Sequence, residues 1–237
     1  MIYYSTCLRG TSHIKNNKPC QDYKKIFELP NNYVVAAVAD GVGSSKHSNI
    51  ASKIAVNTSM EFIKNNFPEK PNKQNLKKLI LSSFNKAQDQ IEFICQDKND
   101  DLYEYDTTLT LIIYDATTVF YGQSGDSGAI GITNTGDYKK ITSQQKGKDG
   151  ISVIPLRFRE KTWEIGCLDE KFCAIMLAAD GILDGLVSPP ILWREKCPIY
   201  VSLVKNFLDL NFIQISKQNV NALVNKNWTQ ILNITSV

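Results

Sequence analysis

The chain has 237 residues, 43% apolar and 22% charged, with a formal net charge of +3. This length and composition suit one globular domain, residues 1–237, with a core that needs no staples. So weak a charge, with no basic run interleaved with aromatics, argues against nucleic acid as a partner. The most apolar runs, residues 33–39, 108–114 and 173–179, are strand-sized and well short of the ~20 residues of a membrane helix.

Residues 1–7 carry neither a basic segment nor a long apolar one, so no secretory signal is expected and the cytoplasm is the expected location. Residues 2–8 are rich in strand formers. Residues 23–29 alternate moderately and 33–39 form a nearly continuous apolar run; Pro30-Asn31-Asn32 between them predicts a hairpin turn. Two helices follow. Over 49–67 the residues Ile50, Ile54, Ala55, Thr58 and Phe62 share a face; over 73–95 the face is Leu76, Leu79, Ile80, Phe84, Ala87, Ile91 and Ile94. Each helix should lie on a sheet with its other side in water. Strands are predicted again over 107–114, 119–123, 129–133, 138–142 and 173–179, with a turn at Asn134-Thr135-Gly136-Asp137. A helix over 199–210 and a last strand over 229–234 complete the reading. Strands, then two helices, then more strands predict an α+β fold, with two antiparallel sheets packed together and helices on the outer faces.

The six cysteines, Cys7, Cys20, Cys95, Cys167, Cys173 and Cys197, include no C-x-x-C pair. His13 and His47, the only histidines, lack zinc-site spacing, so reduced core thiols are expected. Trp163, Trp193 and Trp228 read as packing residues.

The chemistry concentrates in three segments: Ala36-Ala37-Val38-Ala39-Asp40-Gly41, Ser124-Gly125-Asp126-Ser127 and Leu177-Ala178-Ala179-Asp180-Gly181. An aspartate at the end of a buried strand has a rigid mount and is costly to leave unpaired. A glycine beside it lets backbone, carbonyl oxygen included, approach an ion closely. Asp-Gly is also a common turn. Three instances after apolar strands, with Asp22 as a fourth carboxylate, favour converging ligands instead. Oxygen-only ligands select Mg²⁺ or Mn²⁺ over zinc.

Gly10-Thr11-Ser12-His13, Pro19-Cys20-Gln21-Asp22 and Ala36 to Ser44 resemble, in order, motifs of the bacterial branch of the PP2C-type metal-dependent protein phosphatases. Asp106-Thr107-Thr108 resembles that family's Gly-Thr-Thr, Gly125-Asp126-Ser127 its Gly-Asp-Ser, and Ala179-Asp180-Gly181-Ile182-Leu183-Asp184 its Ser-Asp-Gly element. The resemblance implies a β-sandwich flanked by helices, acting on phosphoserine or phosphothreonine in proteins with two or three Mg²⁺ or Mn²⁺ ions. It implies that Asp40 bridges two ions, the Gly41 carbonyl and Asp180 each bind one, Asp22 holds metal-bound water, and Asp126 supports a third, looser ion. Asp22, Asp40 and Asp180 are thus the implied catalytic residues, and a paired-metal site activates water for in-line attack on phosphorus. A phosphorylated protein is the implied partner, with a cognate serine/threonine kinase behind it, and the protein is expected to be a monomer.

The chain departs from the family in three places. Lys226-Asn227-Trp228-Thr229 stands where a last ligand aspartate is usual, and an ammonium cannot ligate a cation. The family's phosphate-binding arginine has no counterpart, leaving Lys15 or Lys18 to supply charge without a bidentate fork. Val42 replaces a frequent histidine, and that branch often lacks it. These departures keep a second reading open, a pseudophosphatase that binds without turnover. His47 reads as a loop residue, His13 as a strand-end residue near the cleft, and Lys146, Lys148 and Asp149 as a solvated loop.

Overall fold

The structure, a computed structural model, describes residues 3, 5, 7, 9–147, 149 and 152–186. The helix expected over 199–210, the strand over 229–234, Lys148, Trp193, Cys197 and the segment from Lys226 to Thr229 lie outside the described residues. In chain order the elements are α1 (Thr11–Lys15), β1 (Tyr23–Glu28), β2 (Val34–Ala39), α2 (Ser48–Asn66), α3 (Lys73–Lys98), β3 (Leu109–Tyr114), β4 (Val119–Ser124), β5 (Gly128–Thr133), β6 (Tyr138–Lys140), β7 (Glu164–Leu168), β8 (Phe172–Ala178) and α4 (Asp180–Leu186). Two antiparallel sheets result, one in the order β1-β2-β3-β4-β7 and one in the order β6-β5-β8. This is the expected α+β architecture.

β2 and β3 are buried at every position because each faces two layers. Val35, Ala37, Ala39, Leu109, Leu111 and Ile113 pack in one core with α2 and α3, while Ala36, Ile112 and Tyr114 share the other with Ala129 and Phe172 of the second sheet. Period-two alternation therefore disappears from their sequence, and a continuous apolar run replaces it. The hairpin of β1 and β2 turns through Asn31 and Asn32, at φ 60° and 63°, a left-handed conformation that asparagine tolerates. α3 begins with a capping box: the Asn72 side chain accepts from the amides of Gln74 and Asn75, and the Asn75 side chain accepts from that of Asn72.

Several elements differ from expectation. Tyr3, Ser5 and Cys7, the described residues of the expected first strand, belong to no strand. The buried face of α2 is Ser48, Ala51, Ser52, Ala55, Val56, Ser59, Met60 and Ile63, while Ile50, Ile54 and Phe62 pack only at its margin. α2 lies against both α3 and the sheet, and small residues allow that approach. Its serines satisfy their hydroxyls on backbone, as Ser52 does on the Gln21 carbonyl at 2.6 Å and Ser59 on that of Val56 at 3.2 Å. β7 was not anticipated, because Glu164-Ile165-Gly166-Cys167-Leu168 shows no apolar run; pairing with β4 makes it a strand. Among the described residues no helix is long and apolar enough to cross a membrane.

Candidate metal centre

Asp40 directly follows β2, and its backbone is fully engaged. Its amide donates to Thr108 Oγ1 at 2.9 Å, and its carbonyl accepts from the Thr108 amide at 2.8 Å and Thr107 Oγ1 at 2.9 Å. The Gly41 amide donates to the Gln21 carbonyl at 3.1 Å. A Cβ on Gly41 would sit 2.7 Å from the Ser48 carbonyl oxygen, so the start of α2 closes on this strand end only because residue 41 is glycine. Gln21, itself buried, donates from Nε2 to Ser48 Oγ at 2.5 Å. These contacts fix Asp22, just before β1, relative to Asp40. Asp180 arrives from the other sheet, as the first residue of α4 behind β8.

Asp40 stands at the centre of the group, its carboxyl within reach of both Asp22 and Asp180. Burial pushes the Asp40 carboxyl up to about 11, and the like charges of Asp22 and Asp180 push the same way. Burial also raises Asp22, with Asp180 adding to the shift, while the hydrogen bond from Asp40 and the charge of His13 oppose it. Half-buried carboxyls crowded together in this way form a set of hard oxygen donors with excess negative charge, and a hard divalent cation fits it.

Asp126 sits in the β4–β5 turn, only 2% exposed. Gly125 makes that turn at φ 93°, and a Cβ there would run into the Thr108 methyl. Thr108 Oγ1 shares a hydrogen bond with Ser127 Oγ at 2.8 Å, so one threonine ties this turn to the backbone of Asp40. Gln123 bridges the Thr110 hydroxyl at 2.7 Å and the Gly125 and Ser127 carbonyls. The Asp126 carboxyl is raised to about 6, by burial first and by Asp180 second, against the opposing charge of Lys146.

The structure therefore places Asp40 beside both Asp22 and Asp180, which act on each other through charge, with Gly41 adjoining Asp40 and Asp126 within electrostatic reach of Asp180. Lys15 and Lys18 are exposed on and after α1, and the basic side chain that acts on Asp22 is His13. Lys146 corrects the solvated-loop expectation. Its side chain is 12% exposed, with Nζ 2.9 Å from Asp184 and 3.8 Å from Asp126, and Gln144 supports the pair by donating to Asp184 at 2.8 Å. Burial pulls the Lys146 ammonium down, but Asp184 and Asp126 outweigh it and the net direction is up. Nothing in the local pattern around Lys146 signals this, because its partner lies 38 residues away. Thr108 and Gln21 stood within noted motifs, but their roles needed the tertiary contacts.

Other expectations separate. His47 immediately precedes α2, its Nε2 3.5 Å from Asp100 and 3.8 Å from Glu104 and its ring against Tyr105. Trp163 packs edge-on against Phe84 and donates to the Leu156 carbonyl at 3.0 Å. The core-thiol reading holds for buried Cys95 but not for Cys7 and Cys173, which are exposed.

Similar architectures occur in solved bacterial enzymes. The serine/threonine phosphatase of S. agalactiae superposes with a TM-score of 0.59 at 16% identity, covering 95% of this chain and 92% of that one. Stp1 of Staphylococcus aureus gives 0.53 at 18% identity, covering 74% and 78%. The Mycobacterium tuberculosis phosphatase PstP/Ppp gives 0.53 at 16%, covering 71% and 80%. At these identities the likeness is one of fold. No curated protein sequence matches the chain. The sequence model for protein phosphatase 2C matches residues 9–214, well over half the length, and the chain belongs to that family.

Proposed function

We propose that the protein hydrolyses phosphoserine and phosphothreonine in phosphoproteins with Mg²⁺ or Mn²⁺, as one domain and a monomer in the cytoplasm. The observation that carries this reading is the placement of Asp40 beside both Asp22 and Asp180, three carboxylates brought together from separate elements. Asp40, the Gly41 carbonyl and Asp180 would hold two ions, with Asp22 beside them. When bound, such ions acidify water and neutralise phosphoryl oxygens. Thr107 and Thr108 hold Asp40 at a fixed position, which limits reorganisation during reaction. Asp126 is the candidate for a third, looser ion, which must compete with the Lys146 ammonium. Lys15 and Lys18 are the proposed phosphate-facing cations, and a serine/threonine kinase would supply the substrate. Lys226, where a ligand carboxylate is expected, favours the second reading, a pseudophosphatase.

Turnover of p-nitrophenyl phosphate and a phosphothreonine peptide, with Mn²⁺, Mg²⁺ or EDTA, separates the two. Metal-dependent hydrolysis lost in Asp40→Ala establishes catalysis. Activity appearing only in Lys226→Asp establishes a pseudophosphatase disabled at one ligand. Silence from all folded proteins refutes the catalytic reading.

A further inference from the structure

Cys7 and Cys20 are 13 residues apart, yet their Sγ atoms lie 3.2 Å from each other. Both thiols point at the Asp22 carbonyl, at 3.4 Å from Cys7 and 3.8 Å from Cys20. An Asp22 carboxylate oxygen and the two sulfurs all lie within 4.8 Å of one another. Two soft donors thus converge with one oxygen donor, Asp22, that the oxygen-only centre also has beside it.

Distances separate two uses of such a pair. A tetrahedral zinc ion with Zn–S bonds of about 2.3 Å holds two thiolates about 3.8 Å apart, so these sulfurs need to open by only about 0.6 Å. A disulfide of about 2.0 Å needs them to close by about 1.2 Å. Metal binding asks for the smaller movement, and Cys7, exposed and outside any strand, can make it. Its exposure also leaves room for water as a fourth ligand.

We propose that Cys7, Cys20 and the Asp22 carboxylate form a binding site for a thiophilic divalent cation of the Zn²⁺ class, separate from the Mg²⁺/Mn²⁺ centre but sharing Asp22 with it. Filling the site turns the Asp22 carboxylate towards the thiols and away from Asp40. On the catalytic reading the same ion is therefore inhibitory, although the site itself requires no turnover.

Anaerobic titration of the full chain with Co²⁺, without added Mg²⁺, tests the site by a readout that oxygen ligands do not give. The wild type should develop a thiolate-to-cobalt charge-transfer band that Zn²⁺ abolishes. Cys7→Ser, at an exposed position, should halve the band and weaken Zn²⁺ binding, since a hydroxyl replaces one of its two thiolate ligands. The Cys7→Ser/Cys20→Ser double variant should lose the band, with circular dichroism reporting its fold. No band in the wild type, or an equal band in a folded double variant, overturns the proposal. Loss of two titratable thiols without a band would show a disulfide, and also overturns it. Because the band is read without substrate, failure here leaves the catalytic reading standing, and an inactive enzyme leaves the site standing.

Discussion

Stripped of metal, the protein should gain stability on acidification through the weakly acidic range. Asp40 has its carboxyl raised from 3.8 to about 11 in the folded state, so between these values the native state carries a proton that the unfolded chain has released. Where the native state binds more protons, stability falls as pH rises. The contribution is fully present below about pH 4 and is lost progressively towards the folded value. One extra proton corresponds to about 1.4 kcal/mol per pH unit, hence about 3 kcal/mol between about pH 5.5 and about pH 7.5. Asp126, raised to about 6, adds in the same sense up to that value. The Asp22 carboxyl beside it is raised as well, so the slope belongs to the two groups together. Urea unfolding in EDTA across this range measures it, with Asp40→Asn as the control. The variant should be flatter with pH and several kcal/mol more stable near about pH 7.5, and Mn²⁺ should remove most of the difference by stabilising the wild type. A wild-type stability that stays level or rises with pH in EDTA would refute the charge-deficit account.

Gly41→Ala should cost about 1–3 kcal/mol in urea unfolding, because its Cβ would meet the backbone of Ser48, which has no rotamer with which to retreat. Thr108→Val keeps the shape but deprives the Asp40 amide and Ser127 Oγ of a partner. It should cost about 1–3 kcal/mol and weaken Mn²⁺ binding measured by calorimetry. Lys146→Met leaves Asp126 without its countercharge. In EDTA near about pH 7 it should lose about 1–2 kcal/mol, and the loss should shrink below about pH 6 as Asp126 protonates.

Continuous apolar runs made β2, β3 and β8 legible, and the 3.6-residue period placed both long helices to within a few residues of their ends. Asp22, Asp40, Asp126 and Asp180 were legible as carboxylates at strand ends, and a family resemblance ordered them. What stayed hidden depends on distance along the chain. The Lys146–Asp184 pair spans 38 residues, the Thr108–Asp40 bond 68, and β7 owes its existence to β4. The serine-lined face of α2 stayed hidden for another reason: a hydroxyl satisfied on local backbone can be buried, yet by composition it reads as solvent-facing.

The carboxylates are also distributed unevenly between the layers. Asp22 and Asp40 belong to the five-stranded sheet, Asp180 follows the edge strand of the three-stranded one, and Asp126 lies in the turn joining the two. The approach of Asp40 and Asp180 therefore crosses the sandwich. Among the described residues the core between the sheets includes the small side chains Ala36 and Ala129. Repulsion among ionised carboxylates acts between the layers, and a cation that removes it also draws the sheets together. Metal affinity and closure of the sandwich are then one equilibrium seen from two sides, and substitutions that loosen the inter-sheet core should weaken ion binding without touching a ligand.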